Sequence, residues 1–264
     1  MTYTSLNQLI TFLRIPLMTI PLPLRGLVIG SILWWVLTTP LWHQDPVVVD
    51  FSPERTSVAL VQLLDSGAIF PHIFASLRRV FVGLLAAIGL GVPCGILLGL
   101  SRYLDQATSA LFQFIRMISP LSWMPIAVMV LGIGDLPVYF LLTIAAIWAL
   151  ILNTSAGVVS VDRRWLLLSK GLCATQWEMI SQVIIPAIIP HLLTGIRLAI
   201  GVIWIVLVPA EMLGVNEGLG YYILNTRDRL AYSELMAVVL IIGLIGCFLD
   251  ITLRFAQHRW IHHL

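Results

Sequence analysis

Weak hydrogen-bond donors set among prolines, inside long apolar runs, are the chemical resource of this chain. Ser119, Ser122 and Trp123 stand beside Pro120 and Pro125. Each proline removes a backbone N–H and interrupts helical bonding. The two hydroxyls and the indole N–H therefore either satisfy the interrupted backbone or touch a small anion in passing. Asn153 and Thr154 stand at the end of a later apolar run, where they line its exit or cap the helix that follows. Arg197 follows Pro190 by about 10 Å of helical rise, a depth at which a charge faces a partner or a water-filled cavity. It is read either as an anion-attracting group near the inner mouth of a path or as a side chain bonded to helix-end carbonyls. The stretch from Arg197 to Trp204 is a second place where a path could run. Glu211 would repel an anion, so it is read as structural or gate-forming. No nucleophile–base pair, HExxH, Walker loop or GxGxxG occurs, so nothing in the chain hydrolyses ATP by itself. Cys94, Cys173 and Cys247 are odd in number and lack metal-ligand spacing, which leaves them as buried soft side chains.

The elements that must position these groups are membrane spans. Hydrophobic residues make up 59% of the 264-residue chain and charged residues 11%, too much apolar surface for a soluble fold to hide. Long apolar runs predict six spans, at about 26–42, 77–100, 112–133, 136–152, 187–210 and 235–254. Pro120 and Pro125 should break or kink the third, and broken helices at membrane depth are tolerated where they line a cavity. Only Gly134-Asp135 separates the third from the fourth, which predicts a tight hairpin. Ala87, Gly91, Gly95 and Gly99 recur every four residues and predict close helix packing. With the N-terminus inside, ten Lys and Arg residues fall inside and five outside, so the positive-inside rule puts both ends and the 153–186 loop in the cytosol. That count takes Arg116 and Arg197 as inside and Arg78 and Arg79 as outside. Leu6, Leu9, Ile10 and Leu13 predict a short interfacial helix before Pro16–Pro23. The 43–75 loop reads as an external, partly helical connector without chemistry.

Within the cytosolic loop, residues 165–190 carry helical periodicity, a break near Gly171–Thr175, and a second helical run closed by Pro186 and Pro190. A structured helix pair held outside the membrane serves a soluble partner.

This segment resembles the coupling loop of ABC-importer permeases, with the turn at Cys173-Ala174-Thr175 and the hydrophobic-Pro pair at Ile185-Pro186. The resemblance extends to His72-Ile-Phe-Ala-Ser-Leu-Arg-Arg, Ser119-Pro-Leu-Ser-Trp-Met-Pro125 and Asn153-Thr-Ser-Ala-Gly-Val158. Thr194-Gly-Ile-Arg-Leu198, Ala210-Glu-Met-Leu-Gly214 and Gly218-Leu-Gly-Tyr221 continue it. Together these are similar to permeases for nitrate, bicarbonate, cyanate, aliphatic sulfonates and taurine, over roughly residues 70–255. Leu167, Leu168 and Ser169 replace the family's Glu-Ala-Ala, and Cys173 its turn glycine.

The resemblance implies an all-α, polytopic, six-span type I ABC-importer permease fold with a cytoplasmic coupling helix, in the inner (plasma) membrane with both ends cytoplasmic. It implies residues 1–25 as an N-terminal segment and 26–264 as the permease domain, with the coupling loop at 163–186. Ser169, Gly171, Cys173, Ala174, Thr175 and Trp177 are the implied ATPase-coupling residues. The translocation path falls to Ser119, Ser122, Trp123, Asn153, Thr154, Arg197 and Trp204. The implied partners are a second permease copy, two ABC ATPase subunits, a periplasmic or lipid-anchored solute-binding protein and membrane lipid, with no nucleic acid. The chain binds no cofactor, and ATP and Mg belong to the partner ATPase. The cargo is a small anion, nitrate first, then bicarbonate or cyanate, then an organosulfonate. The rival reading is a stand-alone secondary transporter or channel for a small anion. It needs buried ionisable groups, of which Arg197 is the clear mid-span case, and it leaves the helix pair without a purpose.

Overall fold

A computed structural model describes residues 22–38 and 46–261, and their regular structure is helical. In lipid every backbone polar group must be satisfied within its own segment, which favours helices for such apolar runs. The helices are α1 (Leu22–Thr38), α2 (Pro46–Asp50), α3 (Pro53–Ser66), α4 (Ile69–Leu100), α5 (Arg102–Met117) and, after a 3₁₀ turn at Pro120–Trp123, α6 (Met124–Leu131). Then come α7 (Asp135–Ser160), α8 (Arg163–Gly171), α9 (Gln176–Glu211), α10 (Leu219–Asp228) and α11 (Tyr232–Ile261).

Among the described residues, α4, α7, α9 and the 232–257 stretch of α11 are each long and apolar enough to cross a membrane. The third expected span is not one helix. It is α5 followed by Pro120–Leu131, bent by 84° at Ile118–Ser119, so the chain turns just before the first proline. The first expected span appears as α1, and its predicted end at 39–42 lies outside the described residues, as does the expected interfacial helix within 1–21. The predicted hairpin forms through Gly132 and Gly134, at φ 81° and 130°, which leads into α7 at Asp135.

Two boundaries differ from expectation in ways that matter. α7 runs on to Ser160, so Asn153 and Thr154 lie within a helix and cap nothing; Asp162 caps α8. Pro186 and Pro190 close nothing either, because α9 passes through both as part of one 36-residue helix. Arg79, Arg116 and Arg197, within their expected spans, all sit in helices.

The core is the trio α4, α7 and α9, with α7 the most enclosed span and α11 the least. The small-residue stripe on α4 is what brings α7 close. A Cβ on Gly95 would stand 2.6 Å from the Thr154 Cβ, and one on Gly99 2.5 Å from the Val158 Cβ. On the far side of α7, Gly157 meets His191 of α9, and Gly195 of α9 meets Asn153 of α7. Leu142, Leu150, Ala199, Ile203 and Leu207 fill this seam and are wholly buried. The 43–75 connector supplies α3, whose Ala59 and Leu63 pack on Ala237, Val238 and Ile241 of α11.

Candidate translocation path and coupling turn

The break in the third span is built from extended backbone at Ser119 (φ −57°, ψ 130°), whose carbonyl accepts the Ser122 N–H at 2.9 Å. Pro120 follows, where a missing N–H is tolerated at a helix start. Ser119 and Ser122 are exposed, and Trp123 is half-buried against the α4–α7–α9 core. The Trp123 indole Nε1 is buried and has no hydrogen-bond partner, which leaves an unsatisfied donor beside two exposed hydroxyls. Depth follows from a neighbouring contact. The Phe112 ring of α5 packs 5.6 Å from Trp148, halfway along α7. The break follows Phe112 by about 10 Å of helical rise, so it falls inside the apolar span, where irregular backbone lines a cavity or is buried in protein.

Asn153 Nδ2 donates to the Ala149 carbonyl at 2.7 Å while its stem packs on Gly195. Thr154 is fully buried in the α4–α7 seam with Oγ1 unpartnered. Arg197 donates from Nε to Asp250 Oδ1 of α11 at 3.1 Å, and the other Asp250 oxygen takes Arg254 Nε at 2.7 Å. Its structural partner is thus a carboxylate rather than helix-end carbonyls. Arg197 and Trp204 line one cavity of about 110 Å³, together with Gly201, Gly246 and Asp250. Neither Asn153 nor Ser119–Trp123 lines that cavity.

A buried ion cage escaped the sequence reading. Arg79 Nη1 donates to Glu211 Oε1 (2.7 Å) and the Glu217 carbonyl (2.6 Å), while Nε and Nη2 reach Asp135 Oδ1 at 2.8 and 2.7 Å. Glu211 is wholly buried and also accepts the Ser76 hydroxyl and the Gly220 N–H at 2.9 Å. Ser76 Oγ accepts the Leu219 N–H, and His72 Nδ1 accepts the Gly218 N–H. The cage ties α4, the start of α7, the end of α9 and the 212–218 loop into one unit, so Glu211 is structural. Its sequence signal was the i, i+4, i+7 spacing of His72, Ser76 and Arg79, which puts all three on one helical face.

The α8–α9 turn, the candidate coupling turn, is a Schellman closure. The Ala174 N–H bonds to the Ser169 carbonyl and the Cys173 N–H to the Lys170 carbonyl, both at 3.0 Å, with Cys173 left-handed at φ 56°. α9 then starts on a capping box, in which Glu178 N–H donates to Thr175 Oγ1 and Thr175 N–H to Glu178 Oε2. Ser169 is buried and bonds the Trp165 carbonyl, Ala174 is half-buried, and Gly171 is exposed. Trp165, Leu168, Leu172 and Trp177 expose large apolar side chains on this polar side of the molecule. Beyond Glu178 the helix widens into a π turn at Met179–Ile184, with Ile185 N–H reaching back to the Ile180 carbonyl.

Comparison with known proteins reaches most of this architecture. The family model described as "Binding-protein-dependent transport system inner membrane component" matches residues 91–261. The bicarbonate transport system permease protein CmpB of Synechococcus elongatus is 33% identical over 91% of this chain and 88% of its own length. The nitrate import permease protein NrtB of Synechocystis sp. is 30% identical over 89% and 87%. A solved inward-facing conformation of the MetNI methionine ABC transporter superposes with a TM-score of 0.64 at 18% identity, over 74% of this chain and 95% of that one. At that identity the likeness speaks for the fold alone.

Proposed function

Since the chain belongs to the family of binding-protein-dependent transport system inner membrane components, we propose that it is the permease subunit of an ATP-driven importer for a small anion. The anion is nitrate first, with bicarbonate or cyanate next and an organosulfonate or taurine last. The relatives' printed cargoes, bicarbonate and nitrate, support an inorganic anion over an organosulfonate. Two copies of the chain enclose the path, two ABC ATPase subunits bind ATP and Mg, and a periplasmic or lipid-anchored protein delivers the anion. Both chain ends and the α8–α9 turn face the cytosol.

The carrying observation is the coupling turn: a double-capped helix pair that exposes Trp165, Leu167, Leu168, Leu172 and Trp177, joined without interruption to a membrane helix. A secondary transporter has no use for such a surface. ATP binding draws the ATPases together, the turn moves with them, and α9 carries the movement into the α7 seam. Ser119, Ser122 and the Trp123 indole offer the passing anion weak donors, as import requires.

The test is uptake of labelled nitrate by cells expressing the complete complex, with bicarbonate, cyanate and taurine as competitors. ATP-dependent uptake that one inorganic anion suppresses is the expected result. Uptake driven by an ion gradient without ATP would overturn the reading.

A further inference from the structure

We propose that Arg116, braced by Gln113, is an anion-holding group of the translocation path at mid-membrane; this rests on the anion-import reading above. α5 is strongly two-faced. Asp105, Ser109, Gln113 and Arg116 fall on one stripe, and none of its residues is buried. That stripe faces a groove of about 180 Å³ whose opposite wall is Trp148, Ile151 and Ser155 of α7. The Phe112–Trp148 contact sets Arg116, one helical turn farther along, near the middle of the bilayer.

Charge bookkeeping singles this residue out. Arg78 and Arg79 pair with Asp135, and Arg197 pairs with Asp250. Among the described residues no carboxylate pairs with Arg116, and its hydrogen-bond partner is Gln113 Oε1, at 2.9 Å from Nη2. A guanidinium has five donors, so most remain open, and Gln113 turns its acceptor to Arg116 and keeps its amide N–H groups. An uncompensated cation at mid-depth is costly and marks an ion path. Lipid headgroups do not reach that depth. A planar, fork-shaped donor set suits a small planar oxyanion such as nitrate or bicarbonate. Asp105 shares the groove but stands about 16 Å farther down the helix. Its carboxylate at the inner end works against tight capture there, and the Ser119 and Ser122 hydroxyls follow directly on the other side of Arg116.

The experiment uses the complete complex in proteoliposomes, in a background where Cys94, Cys173 and Cys247 are serine. A Ser155→Cys thiol in the groove is titrated with an anionic and with a cationic thiosulfonate. Arg116→Gln is expected to lower the anionic-to-cationic rate ratio by about fivefold, and Arg116→Lys to keep it within about twofold. An unchanged ratio overturns the proposal. In the same vesicles Arg116→Gln should lower uptake of labelled nitrate or bicarbonate by about tenfold or more while the binding-protein-stimulated ATPase persists. Undiminished uptake also overturns it. If the parental complex moves neither anion, the import reading falls, and the thiol ratio alone still decides whether Arg116 draws anions into the groove. Should Arg116→Gln fail to assemble, Gln113→Glu, which sets a carboxylate against the guanidinium, must produce the same fall in ratio.

Discussion

Cys173 holds a left-handed backbone that costs a residue with a Cβ about 1–2 kcal/mol. Cys173→Gly should therefore raise the melting temperature of the purified complex without harming uptake, and an unchanged or lowered midpoint would contradict the assignment of strain. The ion cage gives a sharper contrast. Arg79→Ala leaves the wholly buried Glu211 carboxylate without its cation and should cost about 3–5 kcal/mol. Adding Glu211→Gln, which keeps an acceptor for Ser76 and Gly220, should recover part of that loss, read as folded yield and melting temperature. A double variant no better than Arg79→Ala would show that the pair is not what holds these elements. Residue identity was legible where a pattern carried it: the family resemblance placed the Cys173-Ala174-Thr175 turn, and four-residue spacing the small-residue stripe of α4. The partners of Arg79 and Arg197 were not, because Asp135, Glu211 and Asp250 lie far away in sequence and meet them only after the helices pack.

Elements differ in how rigidly they transmit movement. Between the capped turn and the α7 seam, α9 passes through the π turn Met179–Ile184, and Pro186 then supplies no N–H. Val158, Ile184 and Ile188 form a small apolar seat there, with Leu166 of α8 packed against it. Hydrogen exchange on the complex should thus change most at residues 179–185 between resting and ATP-trapped states, and little along the α7-facing part of α9. Uniform change along the helix would count against a joint. Ala174 lies inside the turn, half-buried and bonded to Ser169. Ala174→Glu should accordingly abolish coupled uptake while the membrane core stays folded, and a variant with parental uptake and stimulated ATPase would sink the coupling role. Helix existence and a break in the third span were readable from apolar runs and prolines, but the size of the bend, 84°, and the continuity of α9 through two prolines were not. Proline removes one donor wherever it falls; whether the chain bends or compensates with a wider turn depends on packing.

At the scale of the molecule, the single chain leaves much of α5, α6 and α11 uncovered, including Phe114, Met129, Val130, Leu244 and Phe248. Lipid covers part of such a surface, and a second copy covers the rest in the proposed assembly. Native mass spectrometry of the co-expressed complex should find two copies of this chain, and a stable complex holding one copy and no other permease would refute that arrangement. The α9 helix joins this assembly to its own far side. Its 36 residues span about 54 Å, with the coupling turn at one end and the buried Arg79–Glu211 pair at the other. Beyond its π turn, the 27-residue Ile185–Glu211 part is a rod of about 40 Å fixed near its outer tip, and it behaves as a pendulum arm. A tilt of about 5° sweeps its inner end, at the π turn, through about 3.5 Å while the pinned tip stays in place, by the helical dimensions alone. In the proposed assembly the displacement available to the ATPases is thus greatest on their own side of the membrane, and the outer end sets the pivot about which it turns.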